Sequence, residues 1–442
     1  MTVNLVLVGD MHLGRRPTRV PRQSSLDPAD LGPEVAWQRT VDLALEQKVA
    51  AVLLAGDVVE RIEDRFRAFA ALERGVARLV GAGIRVIAVV GNHDVEALPR
   101  LAARIGAVEL LGMGEERWQS ALISAGGTSV RVWGWSFRRR EERNSPLADF
   151  PRRRARPGDE AVIGLLHADL DVRDSNYAPV NRGELVDAGL DAWVLGHVHR
   201  PHDLAGGAPI GYLGSVAGLD PGEPGPHGPW LLEVAGPHSL RFKHVPLAPL
   251  RYQTVTLDVS SLPDVAGADL ADALASQLER EVVPAFRAAA ADELERVDAL
   301  ALRVVLEGDT ERGTELRAAT RELIGQELSA EVTPTFITSF EDRSTAPVDL
   351  RRLAGDSSYP GLLARRLMAL ESGDEEGQRL IARARERLTD DLARHASWRQ
   401  LPDELARPDD DEILRGRLVA SGRRALQSLL AQNRGTADGG DA

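Results

Sequence analysis

Val3-Asn4-Leu5-Val6-Leu7-Val8-Gly9-Asp10-Met11-His12 is the stretch from which the fold of this chain can be read. A nearly unbroken Val/Leu run suits a strand buried on both faces. It passes through one glycine into an Asp-x-His, so the polar residues stand at the strand's carboxyl end. The same grammar recurs four times. Residues 50–55 lead into Gly56-Asp57, and residues 84–90 into Gly91-Asn92-His93-Asp94. Residues 161–166 lead into His167, and residues 192–195 into Gly196-His197-Val198-His199. Further strand-like runs lie at 130–135 and 230–234. Between the first two strands Trp37, Val41, Ala44 and Leu45 recur at helical spacing; before the third, Phe66, Phe69, Val76, Leu79 and Val80 do so less regularly. Alternating strands and helices predict an α/β layered domain, in which ligands bind outside the carboxyl ends of the strands.

The endings are all metal-ligand types. In extended backbone, residues i and i+2 point the same way, so Asp10 with His12, and His197 with His199, are expected to face one side in pairs. Glycines let the chain turn sharply beside an ion. The chain has no cysteine, so thiolate-bound metals and disulfides are excluded. Imidazole, carboxylate and one amide form a mixed N/O set that suits manganese, iron or zinc better than magnesium or calcium. Any one motif alone is more often structural than functional. Five together, all at strand ends and holding five of the ten histidines, are not explained that way.

The 442 residues, 43% of them hydrophobic, predict several packed domains. A layered α/β region is expected over 1–246 and a small βαβαβ domain over 247–345. Helices with three apolar stripes (Leu363/Leu367/Leu370; Leu380/Ile381/Ala384/Leu388/Leu392; Leu414/Leu418/Ala425/Leu426/Leu429/Leu430) follow over 346–434, then a disordered tail over 435–442. The acids at 409–412 sit where a helix start is expected. The Pro/Gly-rich loop at 220–229 is expected to be structural. The chain starts without a signal-peptide pattern and holds no apolar run of ~20 residues, which predicts a cytoplasmic protein without membrane spans.

The net charge of −13 argues against a nucleic-acid partner, but it is unevenly placed. Arg15, Arg16, Arg19 and Arg22 crowd the first loop. Arg138, Arg139, Arg140, Arg143, Arg152, Arg153, Arg154 and Arg156 face only three acids in their stretch. Both readings stay open, a phosphate-contacting patch or solvated loops, because arginine is this chain's default cation and only Lys48 and Lys243 are lysines.

The motif series resembles the calcineurin-like metallophosphoesterase superfamily. Leu13-Gly14, Tyr212-Leu213-Gly214-Ser215 and Pro246-Leu247-x-Pro249-x-Arg251 resemble the SbcD-type DNA-repair exonucleases, and the helical tail is similar in character to that of YhaO-like relatives. The resemblance implies a layered β-sandwich flanked by helices, with a small α/β capping domain and a helical C-terminal region. It implies two divalent metals, manganese before iron or zinc. Asp10, His12, Asp57 and His199 would hold the first and Asp57, Asn92, His167 and His197 the second. His93 would face the scissile phosphate, with Asp94 orienting it. A surplus of two positive charges would remain over Asp10 and Asp57 to draw in phosphate. Water acidified to a pKa of roughly 7 would attack phosphorus in line. The implied partners are DNA, held by Arg15, Arg16, Arg138–Arg140 and Arg152–Arg154, an SbcC-type coiled-coil ABC ATPase, and a second copy in a homodimer. Val59-Glu60 departs from the family's usual Phe-Asp. The alternatives are a small-molecule phosphoesterase for nucleotides or cyclic nucleotides, and a catalytically silent scaffold.

Overall fold

The structure, a computed structural model, describes residues 2–21, 26–60, 65–152, 155, 158–172, 174–204, 209–265, 267–328, 333–394 and 410–437. The chain divides into two compact units. One comprises Met1–Leu257, Leu262–Leu306 and Glu315–Asp342; the other comprises Asp258–Ser261, Glu307–Thr314 and Arg343–Ala442.

The first unit is built on two stacked sheets. Strands β1 (Val3–Val8), β2 (Ala51–Ala55), β3 (Arg85–Val89) and β4 (Val108–Leu110) run parallel to one another. The second sheet is formed by β5 (Trp118–Ala125), β6 (Thr128–Trp135), β7 (Ala161–His167), β8 (Ala192–Gly196) and β9 (Ile210–Tyr212), in that order. Strands β10 (Trp230–Gly236) and β11 (Ser239–His244) return antiparallel beside β1 to complete the first sheet, in the order β11-β10-β1-β2-β3-β4.

The period-two alternation of side chains explains the layering. Leu5, Leu7, Leu53, Ile87, Ile163, Leu165 and Val194 point between the sheets and form one core. Val6, Val8, Val52, Leu54 and Val86 point the other way, onto Trp37, Val41, Leu72, Val76 and Leu79 of helices Pro33–Glu46 and Arg65–Gly81. Val162, Leu166, Trp193 and Leu195 pack on Trp118, Phe150 and Leu185 beyond the second sheet. The strands are continuous hydrophobic runs because both their faces are covered.

A third sheet comprises β12 (Leu250–Asp258), β13 (Ala299–Glu307), β14 (Glu327–Leu328) and β15 (Thr335–Asp342), in the order β12-β13-β15-β14 with β13 and β15 parallel. The first α-helical stretch after β12 is divided into Ala268–Gln277 and Val283–Ala289 by a π turn at Leu278–Val282. Pro284 lacks an N–H and cannot close an α-helical bond to the preceding turn, and the wider turn accommodates it.

In the second unit, helices Tyr359–Ser372, Glu375–Arg394 and Asp411–Ala437 carry the three expected stripes. Leu370, Ile381 and Leu414 bury one another at the centre. The Asp410 carboxylate accepts from the amides of Glu412 and Ile413, which caps the last helix. That helix runs to Ala437, so the start of the expected disordered tail is helical; residues 438–442 lie outside the described residues.

Candidate metal centre

Five strands deliver their polar endings to one place. Asp10 follows β1, Asp57 follows β2 and Asn92 follows β3 in the first sheet; His167 closes β7 and His197 follows β8 in the second. Strands β1, β2 and β3 are parallel to one another, as are β7 and β8, so their carboxyl ends coincide within each sheet. The sheets touch here: the Ala55 carbonyl lies 3.0 Å from His167 Nδ1. Asp10, His12, Asp57, Asn92 and His167 are buried.

Three groups of donor atoms result among the described residues: Asp10, His12 and His199 form the first, Asp57, His167 and His197 the second, and His12 with Glu60 and His93 a third at the rim. Asn92 joins the second group, its Oδ1 2.8 Å from His167 Nε2. Asp57 lies between the first two, with Oδ2 at 3.4 Å from His167 Nε2 and 4.0 Å from His12 Nε2. His197 and His199 therefore serve different groups, which corrects the expectation for that pair, whereas Asp10 and His12 do share one group. The chain has already left the strand: His12, Asp57 and His197 have φ of +47°, +48° and +110°. Such conformations cost non-glycine residues about 1–3 kcal/mol each, and the surrounding structure must hold them.

The donors fit a cation. A carbonyl can only accept, so His167 Nδ1 carries the proton toward Ala55 and Nε2 is bare. Burial pushes the His167 imidazole down to about 3, which keeps it neutral. Its bare nitrogen faces Asn92 Oδ1, another acceptor. In the first group, His12 Nε2 and His199 Nε2 lie 3.0 Å apart, while their outer nitrogens face Glu60 and Glu223. Acceptor atoms pointing at one another repel unless positive charge lies among them. Burial, with Asp94 and Asp10 nearby, raises the Asp57 carboxyl well above its ordinary range, another sign of uncompensated negative charge.

His93 belongs to neither of the first two groups and stands in the third, at the rim. Its side chain is 42% exposed, and Nδ1 lies 3.8 Å from Glu60 Oε2. Asp94 does not orient it, contrary to the expectation. Fully buried, the Asp94 carboxylate accepts from the amides of Val58 (2.7 Å) and Gly91 (2.8 Å), tying the β2 and β3 loops together. The His93 amide is held instead by Asp57 Oδ1 at 2.9 Å.

Three acids that the motifs did not single out stand behind the imidazoles. Glu60 Oε2 lies 2.7 Å from His12 Nδ1, Glu223 Oε1 2.7 Å from His199 Nδ1, and Asp169 Oδ1 3.2 Å from His197 Nε2. The bond from His12 lowers the Glu60 carboxyl to about 2. These charges more than cancel the surplus of two expected for the ligand set, so a net positive site does not explain phosphate attraction. Glu60 had a signal as the departure from the family pattern. Asp169 and Glu223 had none, because only the fold brings them in.

The arginines are mixed. Arg138 donates to the carbonyls of Gly112 (3.3 Å) and Gly114 and holds a loop. Arg15 lies 4.0 Å from Glu60, and Arg140 3.9 Å from Glu96. Arg16, Arg139 and Arg152 are exposed, while Arg153 and Arg154 lie outside the described residues.

Residues 3–201 match the family model described as calcineurin-like phosphoesterase. The chain is similar to an uncharacterized metallophosphoesterase, YhaO of Bacillus subtilis, at 28% identity over 200 residues, 44% of this chain and 48% of that protein. It is also similar to the DNA double-strand break repair protein Mre11 of Methanopyrus kandleri, at 23% identity over 190 residues, 40% of this chain and 42% of that protein. The match thus spans less than half the length of either relative. Among solved structures, the calcineurin-like phosphoesterase YfkN from Bacillus subtilis overlays 55% of this chain and 90% of its own, with a TM-score of 0.36 and 13% identity.

Proposed function

We propose that this chain hydrolyses phosphodiester bonds of DNA, at ends or hairpins, as the nuclease subunit of a repair complex with an SbcC-type coiled-coil ATPase. One observation carries the reading: two abutting groups of bare acceptor atoms share Asp57 beside the half-exposed His93. Asp10, His12, Asp57 and His199 would hold one divalent ion, and Asp57, Asn92, His167 and His197 the other. When bound, the pair supplies charge compensation for a phosphate and a water acidified to a pKa of roughly 7. The chain's own residues do the rest. Asp57 ties the two halves at a fixed spacing. Asp94 sets the loop that carries His93 to the rim, where its ring can give a proton to the departing oxygen. The similarity to a break-repair protein supports DNA as substrate, as do exposed Arg16, Arg139 and Arg152.

The test is cleavage of end-labelled duplex and hairpin DNA in Mn²⁺, beside nucleotides and cyclic nucleotides. DNA cleavage is expected, with binding whose salt slope flattens by about 0.9 for each phosphate-contacting arginine neutralised among Arg16, Arg139 and Arg152. Turnover of nucleotides with intact DNA would replace this reading with a small-molecule phosphoesterase.

A further inference from the structure

We infer that Glu60 and Glu223 are positioning residues for one half of the metal centre. Each holds the outer nitrogen of a ligand imidazole so that the inner nitrogens of His12 and His199 converge on a single ion. The inference rests on the two-metal reading above.

A carboxylate can only accept, so the 2.7 Å hydrogen bond to Glu223 places a proton on Nδ1 of His199, and Glu60 Oε2 stands at the same distance from His12 Nδ1 as an ion-pair contact. In the neutral ring Nε2 is then bare, and the two Nε2 atoms stand 3.0 Å apart. A carboxylate behind an imidazole also makes it a stronger donor. The second half is mixed, with His167 backed by the neutral carbonyl of Ala55 and His197 by the Asp169 carboxylate.

Glu223 comes from the Pro/Gly-rich loop that had the character of a mere connection, and the loop holds it rigidly. Its Oε2 accepts from the Leu219 amide at 2.9 Å, and its carbonyl lies 3.1 Å from Nε2 of the buried His227. His227 Nδ1 is in turn 2.9 Å from Ser215 Oγ. The Gly225 amide donates to the carbonyl of Tyr252 on β12, so the third sheet helps to fix the loop. Glu60 reaches His12 from directly after β2.

The experiment is Mn²⁺ binding to the full chain, followed by the paramagnetic resonance signal of free Mn²⁺. Wild type is expected to bind two ions. Glu60→Ala and Glu223→Ala should each weaken one of them about 10–100-fold, the typical effect of losing an outer partner of a ligand. The double variant should retain one tight ion, because both glutamates serve the same half. Glu60→Gln, which still offers an oxygen to His12 Nδ1–H, should fall between wild type and Glu60→Ala. Unchanged affinity in both alanine variants overturns the inference and leaves the two-metal reading standing. So does a third ion in wild type that Glu60→Ala loses, since Glu60 would then be a ligand in its own right with His12 and His93. A wild-type chain that binds no Mn²⁺ overturns both readings.

Discussion

At the scale of residues, the centre separates groups that hold from groups that act. Asp57 is buried between the first two donor groups, whereas the His93 side chain is 42% exposed at their rim. His93→Ala should therefore keep both metals and lose about 10²–10⁴-fold in turnover of a small chromogenic phosphodiester, the usual worth of a positioned general acid. Asp57→Ala should instead release metal, because both halves share that carboxylate. Metal counting on the two purified proteins distinguishes the roles, and a His93→Ala protein without metal would contradict this assignment. The Gly-Asn-His-Asp motif was legible as a site, but the role of its last member was not. Asp94 spends both oxygens on backbone amides, which depends on where the β2 loop lies.

At the scale of elements, the glycines at the strand ends matter mainly for close approach between the sheets. A Cβ at Gly196 would stand 2.2 Å from the carbonyl oxygen of Ala55, a backbone atom that cannot swing aside. At Gly91 it would stand 2.2 Å from Asp57 Oδ1. Gly196→Ala should push β8 away from β2, with a loss of about 1–3 kcal/mol in stability and weaker metal binding in the His167 half. Denaturant melts with and without Mn²⁺ measure both effects; an unperturbed protein would show that the sheets can separate freely here. The buried parallel strands were readable from their apolar runs. Strand β5 was not, because Gln119, Ser120 and Ser124 interrupt the pattern where the strand pairs with β6. Strand β11, at the edge of its sheet, likewise alternates exposed and partly buried residues.

At the scale of the whole molecule, a chain of net charge −13 is proposed to act on a polyanion. With acids backing the imidazoles as well as ligating, attraction of a polyanion would have to come from local arginines rather than from the net charge of the site or the overall field. The described part of the helical unit shows no span long and apolar enough to cross a membrane, and its stripes bury one another. We propose it as the dock for the coiled-coil base of the ATPase, through the apolar side chains it leaves exposed, Tyr359, Leu362 and Ile413. Removing residues from 349 onward should spare hydrolysis of a small phosphodiester and abolish copurification with the ATPase. A soluble truncated protein that still binds the ATPase as tightly would move the dock to the third sheet and its helices.

The sequence by itself determined the layered α/β class and the positions of the ligand residues. Both follow from local patterns: apolar runs of strand length, and polar endings placed immediately after them. Only the tertiary structure decided that Asp94 braces loops instead of His93, and that Glu60, Asp169 and Glu223 stand behind the imidazoles. Those arrangements depend on backbone turns with positive φ and on contacts between residues up to 187 positions apart, as for His12 and His199. Such contacts arise from the packing of two sheets and a distant loop, and no local spacing encodes them.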